Sequence, residues 1–103
     1  MNAIDMPTKL TAGEIVAFVE KNYSLPAGAI ASAHRQEAFC RARQIATWLC
    51  RQLTPATFKE IAAVMGPRHS RAIQSSLVAA EARIDVEKGF RAEVEGLKER
   101  LTS

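Results

Sequence analysis

The side chains with chemistry to offer are mostly cations, and they are bunched. Between His34 and Arg71 lie Arg35, Arg41, Arg43, Arg51, Lys59, Arg68 and Arg71, against only Glu37 and Glu60. The 103-residue chain carries 14 Lys and Arg and 11 Asp and Glu, a formal charge of +3. The positive excess therefore sits in this one stretch, and the rest of the chain is slightly acidic. A basic run of this kind suits a polyanionic partner. A solvated basic face with no partner is the plain alternative. The densest part is Arg68-His69-Ser70-Arg71. Arg offers a planar five-donor fork that matches guanine edges or phosphate, and Ser or neutral His can donate or accept.

Other chemistries lack their parts. His34 and His69 are the two histidines. Ser75, Ser76, Cys40 and Cys50 are nucleophiles on paper, but no histidine and carboxylate stand at a suggestive spacing from any of them. No enzymatic activity, no cofactor and no metal are expected. A zinc site would need more Cys or His at short spacing. Cys40 and Cys50 fall in one predicted helix, ~15 Å apart along its axis. A disulfide needs Cα atoms within about 7 Å, so both are expected as reduced thiols. Glu81, Asp85 and Glu87 alternate with Arg83 and Lys88, which reads as a solvated helix face. No apolar run approaches the ~18 residues of a membrane span. The start, Met1-Asn2-Ala3-Ile4-Asp5-Met6-Pro7, has no basic n-region and no apolar h-region, so the expected address is the cytoplasm.

The elements that must position these cations are helices. Period-2 alternation is absent, Ala is abundant, and 6% of the residues are aromatic, so strands are not expected. Residues 1–10 read as a flexible arm and 11–103 as a single helical domain. Thr11-Ala12-Gly13-Glu14 is a capping box that opens the first helix, with Leu10 and Ile15 at the staple positions. Ile15, Phe18, Val19 and Tyr23 follow at helical spacing. Ser24-Leu25-Pro26 ends that helix, and Pro26 to about Ser32 reads as a short second one anchored by Ile30. Ala33-His34-Arg35 reads as a basic loop. Gln36 to about Leu53 is the longest clear helix. Its apolar stripe is Phe39, Ala42, Ile45, Ala46, Leu49 and Leu53, with Trp48 at the border. Arg41, Arg43, Gln44, Thr47 and Arg51 fall largely off that stripe.

Thr57-Phe58-Lys59-Glu60 is a second capping box, opening a short helix that ends near Met65. Gly66-Pro67 stops it. A new helix begins around His69 or Ser70, with Ile73, Leu77, Ala80 and Ile84 as its stripe. A last helix carries Phe90, Val94, Leu97 and Leu101, with Gly89 and Gly96 mostly off that face. The expectation is an all-α bundle of about six helices. Residues 57–84 form a short helix, a glycine turn and a longer helix, the layout of a helix-turn-helix. In that motif the second helix puts its N-terminal residues into the major groove. Ordinary packing would favour acidic residues at that end. Here it carries Arg68, His69, Ser70 and Arg71, while the free N–H groups suit a phosphate.

From about Thr11 to Ser103, nearly without gaps, the chain resembles the C-terminal DNA-binding domain, domain IV, of the bacterial replication initiator DnaA. Tyr23 closes the first helix and Ser32 to Arg35 stand as the basic loop. Arg41-Ala42-Arg43-Gln44-Ile45-Ala46 is close to the family's Arg-Pro-Arg-Gln-x-Ala. Leu53-Thr54 and Glu60-Ile61 follow. Gly66-Pro67-Arg68-His69-Ser70-Arg71 stands where the family has Gly-Gly-Arg-Asp-His-Thr. The resemblance implies a TrpR-like helical fold and double-stranded DNA as partner. It also implies a replication or regulatory protein as a second partner and a nucleoid-associated location. It gives Arg35 the minor groove, and gives Arg43 and Gln44 phosphate contacts or support of the reading helix. Arg51 would hold the backbone and Arg68 would serve as turn arginine. Arg41 and Lys59 complete the basic surface.

His69, Ser70 and Arg71 occupy the family's base-reading positions and depart from it. Asp can accept from cytosine N4, whereas neutral His69 carries no negative charge. Arg71 replaces a methyl and hydroxyl with a fork that favours guanine, and Ala72 replaces a further hydroxyl. Each good bidentate contact is worth roughly 1–3 kcal/mol of discrimination, so the sequence preference is expected to differ from the usual DnaA box. The chain has no G-x-x-x-x-G-K-[ST] loop and no room for a nucleotide fold. It reads as a stand-alone DNA binder or as a fragment of a longer chain, with Met1 and the arm fitting a complete small protein. The alternative is a helical protein-interaction module that has lost specific reading, with Glu93, Glu95 and Glu99 of the last helix as its surface.

Overall fold

Thr11 and Thr57 each start a helix by the same local chemistry. The Thr11 hydroxyl accepts from the Glu14 amide at 3.1 Å, and the Glu14 carboxylate accepts from the Thr11 amide at 2.9 Å. Thr57 and Glu60 repeat the exchange at 3.1 and 2.7 Å. Two of the four orphan donors at each helix start are thereby satisfied. The computed structural model describes residues 10–32, 36–66 and 70–102. Within them run α1 (Ala12–Asn22), α2 (Glu37–Leu53), α3 (Phe58–Val64), α4 (Ser70–Val86) and α5 (Lys88–Thr102). The described residues contain no strand. Residues 1–9 of the expected arm and the expected basic loop at 33–35 lie outside the described residues, while Leu10, expected as the end of the arm, is half-buried against the core.

The expected short helix at Pro26–Ser32 is absent, which leaves five helices among the described residues where about six were expected. The segment is a chain of turns. Its backbone bonds run Ala29 to Pro26 and Ser32 to Ala29, three residues apart, with no continuous ladder. Gly28 sits at φ +88° and Ser24 at +56°, a left-handed backbone that an α-helix cannot contain. Ile30 is nevertheless the expected anchor and is fully buried.

The central element is α2, which packs on α1, α4 and α5, while α3 packs on α4 and α1. The core joins Ile15 and Val19 of α1, Ile45, Ala46 and Leu49 of α2, Ile61 of α3, Ile73 and Ala80 of α4, and Phe90, Val94 and Leu97 of α5. Because α2 is covered from several sides, its buried surface is wider than one stripe. Arg43 and Thr47, read from the sequence as off the stripe, are both buried. Trp48, read as a border residue, is 8% exposed.

Cys40 and Cys50 are both free thiols. Cys50 is fully buried against α1, with its sulfur 3.9 Å from the Ala12 carbonyl. Burial pushes its pKa from 9.0 up to about 12. Burial and the Glu93 bond also raise Tyr23 above its ordinary 10.0. In both cases the unfolded chain loses a proton that the folded chain keeps. Through Cys50, stability is full below about pH 9 and falls as pH rises toward 12, by up to about 1.4 kcal/mol per pH unit, and Tyr23 adds to the fall only above about pH 10. Urea unfolding midpoints compared between about pH 8 and pH 10.5 should show this fall. Cys50→Val should flatten it, and an unchanged slope in that variant would refute the role of the thiol.

Candidate nucleic-acid interface

The start of the turn after α3 is built as the sequence predicts. Met65 caps α3, donating its backbone N–H to the Ile61 and Ala62 carbonyls. Gly66 follows at φ +92°, a left-handed conformation that favours glycine. The chain re-enters a helix at Ser70, inside the expected range. No acidic residue occupies the first turn of α4. Ser70 is half-buried, whereas Arg71, Ala72 and Ser75 are exposed. Together these four line an open concavity of about 710 Å³. Arg71 has no ion pair among the described residues. Its guanidinium is thus available at the helix start, where the orphan N–H groups also point. Arg35, Arg68 and His69 lie outside the described residues.

Arg51 and Lys59 form a second exposed basic group. Arg51 stacks over the Phe58 ring at 4.5 Å and donates to the Ala56 carbonyl at 2.9 Å. It therefore bridges the end of α2 to the start of α3, beside Lys59. The stacking holds a flexible side chain in one place at the surface.

The other sequence-predicted cations are engaged inside the molecule. Arg41 lies over Phe90 at 4.8 Å and pairs with Glu93, which also accepts from the Tyr23 hydroxyl. Glu93 is thus a tie between α1, α2 and α5, and not the free acidic surface that the α5 sequence suggested. Gln44 accepts from Arg83 at 3.1 Å. Arg83 in turn stacks on Phe90 at 4.6 Å and pairs with Glu87 at 3.1 Å and Glu37 at 3.5 Å. Arg83 belongs to a packed network, where the sequence suggested a solvated face. Arg43 is 9% exposed, and its Nε and Nη2 donate to the carbonyls of Ile30 and Ser32 at 2.8 and 2.7 Å. Its donors face inward, to the turns that precede α2.

Sequence reasoning missed Glu20. It is 6% exposed and accepts from the Ile30 amide at 3.0 Å. The signal was present: Glu20 stands one position past Val19 and four past Val16, on the buried side of α1. A carboxylate there has to find a donor.

An all-α protein, with five helices among its described residues, a glycine-turned helix pair and an open start to the second helix that carries Arg71, is a helix-turn-helix protein. The family of the bacterial DnaA protein helix-turn-helix matches residues 12–77. The chain belongs to that family. It is similar to the chromosomal replication initiator protein DnaA of Geobacter sulfurreducens, 30% identical over 100 residues, covering 97% of this chain and 22% of the relative. The Sulfurimonas denitrificans protein of the same name is 30% identical over 94 residues, covering 91% of this chain and 22% of its own length. The Bacteroides thetaiotaomicron protein is 27% identical over 92 residues, covering 89% and 20%. The chain therefore spans about a fifth of the length of the curated relatives it matches. No solved structure matches it significantly.

Proposed function

We propose that this chain binds double-stranded DNA in a sequence-specific way, with a preference altered from the DnaA box. We further propose that it acts in regulating replication initiation or transcription. The observation that carries the reading is the start of α4. Ser70, Arg71, Ala72 and Ser75 form an open surface there, directly after the glycine turn of a DnaA-type helix-turn-helix. An Arg at that place can engage guanine O6 and N7, and the helix N-terminus favours phosphate. Arg51 and Lys59 supply backbone contacts, to which Arg35 and Arg68 add by resemblance. The altered preference follows from His69, Ser70 and Arg71 standing where the family carries Asp-His-Thr.

Fluorescence anisotropy over a salt series tests this, with a DnaA-box duplex, a scrambled duplex and a randomised pool carried through selection. The expected result is salt-dependent binding and an enriched motif other than the DnaA box. Arg71→Ala should change the enriched motif more than the total affinity. Arg51→Ala and Lys59→Ala should weaken all duplexes about equally and lower the salt slope by about one each. Equal loss on every duplex after Arg71→Ala would make Arg71 a phosphate anchor only. Absence of binding above weak non-specific levels at low salt would overturn the reading in favour of a protein partner.

A further inference from the structure

We propose that two copies of this chain exchange α5: the junction at Glu87 straightens, α4 and α5 join into one continuous helix, and each α5 docks on the partner copy. The inference is independent of the DNA-binding reading. One residue, Glu87, separates α4 from α5. The helical ladder almost crosses it. The Glu87 N–H donates to the Arg83 carbonyl at 2.7 Å, and the Arg91 N–H donates to the Glu87 carbonyl at 3.0 Å. Both bonds span four residues, as in a helix. Three bonds of a continuous helix, from Lys88, Gly89 and Phe90 back to Ile84, Asp85 and Val86, are missing among the described residues. A straight junction makes them. No proline stands between Ser70 and Thr102 to prevent it.

The docking of α5 holds the junction open. Phe90, Val94 and Leu97 enter the core, and Glu93 ties α5 to Tyr23 and Arg41. These contacts are the same whichever copy supplies the helix. Exchange keeps them all and adds the three backbone bonds in each copy, against the entropy lost on association. The groove under α5 is already shaped to α5, so a second copy is the occupant it selects. The surface beside the junction agrees. Val86 is 77% exposed and Val78 65%. With the exposed Ala82 they stand at four-residue steps on the outer side of α4. Hinges of one residue must lie close to the axis of a twofold dimer, which places Val86 of one copy beside Val86 of the other. Asp85 and Lys88 flank the junction, and neither has a salt bridge among the described residues. Across the axis each stands opposite the other's charge. The α3 and α4 pair stays whole in each half, so the dimer carries two copies of the candidate interface.

The test refolds the full 103-residue chain from urea and reads its mass by gel filtration with light scattering. Refolding at about 1 mM should give monomer and dimer, and refolding at about 10 μM should give monomer alone. Gly89 has room for a methyl group. Gly89→Ala favours the continuous helix and should raise the dimerisation constant about tenfold. Lys88→Pro suits the first position of α5 but not a helix interior, and should lower that constant more than about a hundredfold. Val86→Lys sets like charges together at the axis and should also weaken the dimer, with the monomer's unfolding midpoint unchanged because the site is exposed. A cross-link separates exchange from simple contact. Lys98 donates to Gln52 at 3.3 Å between α5 and α2. In a Cys40→Ser background, Gln52→Cys is placed in one copy and Lys98→Cys in another. Refolded together and treated with a short bismaleimide, the exchanged dimer should give a covalent pair. A dimer without that pair, or one that persists in folded Lys88→Pro, would overturn the exchange. Monomer alone at about 1 mM in both wild type and Gly89→Ala would overturn it as well. If Lys88→Pro does not fold, the cross-link and Val86→Lys decide.

Discussion

Phe90→Ala should lower the free energy of unfolding by about 4 kcal/mol, the upper part of the range for core truncations. The Phe90 side chain is 2% exposed and is the largest fully buried one among the described residues. It anchors α5 to the core together with Val94 and Leu97. The ring also carries the guanidiniums of Arg41 at 4.8 Å and Arg83 at 4.6 Å. Deleting it opens a cavity and removes the surface on which two cations from different helices rest. A partly desolvated cation–π contact adds about 0.5–1 kcal/mol. Phe90→Leu keeps most of the volume and loses the ring face, so it should cost about 1–2 kcal/mol. Urea unfolding followed by helical circular dichroism measures both. A loss below about 1 kcal/mol in Phe90→Ala would show that α5 is not held through this ring.

Arg43→Ala should cost about 3 kcal/mol of stability. Two carbonyls, of Ile30 and Ser32, lose their charge-assisted donors, and the buried Glu20 loses the cation beyond the Ile30 peptide. An exposed arginine would behave otherwise: surface charge changes stay within about 0.5 kcal/mol. Arg51→Ala is the matched control, because Arg51 is exposed although it stacks on Phe58. Its effect on unfolding should be no more than about 1 kcal/mol. Equal effects from the two substitutions would contradict the inward placement of Arg43. The same contrast bears on DNA. Arg51→Ala should act on the salt slope without moving the midpoint of unfolding by much, whereas Arg43→Ala should move the midpoint.

The helix-turn-helix was legible from the chain before any coordinates. Thr57, Glu60 and Gly66 act on neighbours within a few residues, and both the cap and the left-handed turn stand where those residues place them. The stretch from Pro26 to Ser32 was misread because proline fits the first turn of a helix as well as it fits a chain of turns. What separated the two was Gly28, whose φ of +88° departs from any helix. Of the candidate site, the open start of α4 and the exposed Arg51 and Lys59 were readable from charge and spacing. Arg41 was read as part of the basic surface, and Arg43 and Gln44 as phosphate contacts or support of the reading helix; the fold turned their polar groups to internal partners.

The sequence by itself determined where helices begin and end, which stripes are apolar, and that the basic charge gathers around one glycine turn. Those properties depend on interactions within about four residues. Only the tertiary structure decided which charged side chains face solvent. Glu20 finds Ile30 ten residues away, Arg83 finds Gln44 at 39, Arg41 finds Glu93 at 52 and Tyr23 finds Glu93 at 70. A cation on a helix is equally compatible with water and with a buried acceptor until packing brings the acceptor to it. Burial then makes the inward bond the favoured choice, because an unpaired charge there costs far more than the bond itself gains.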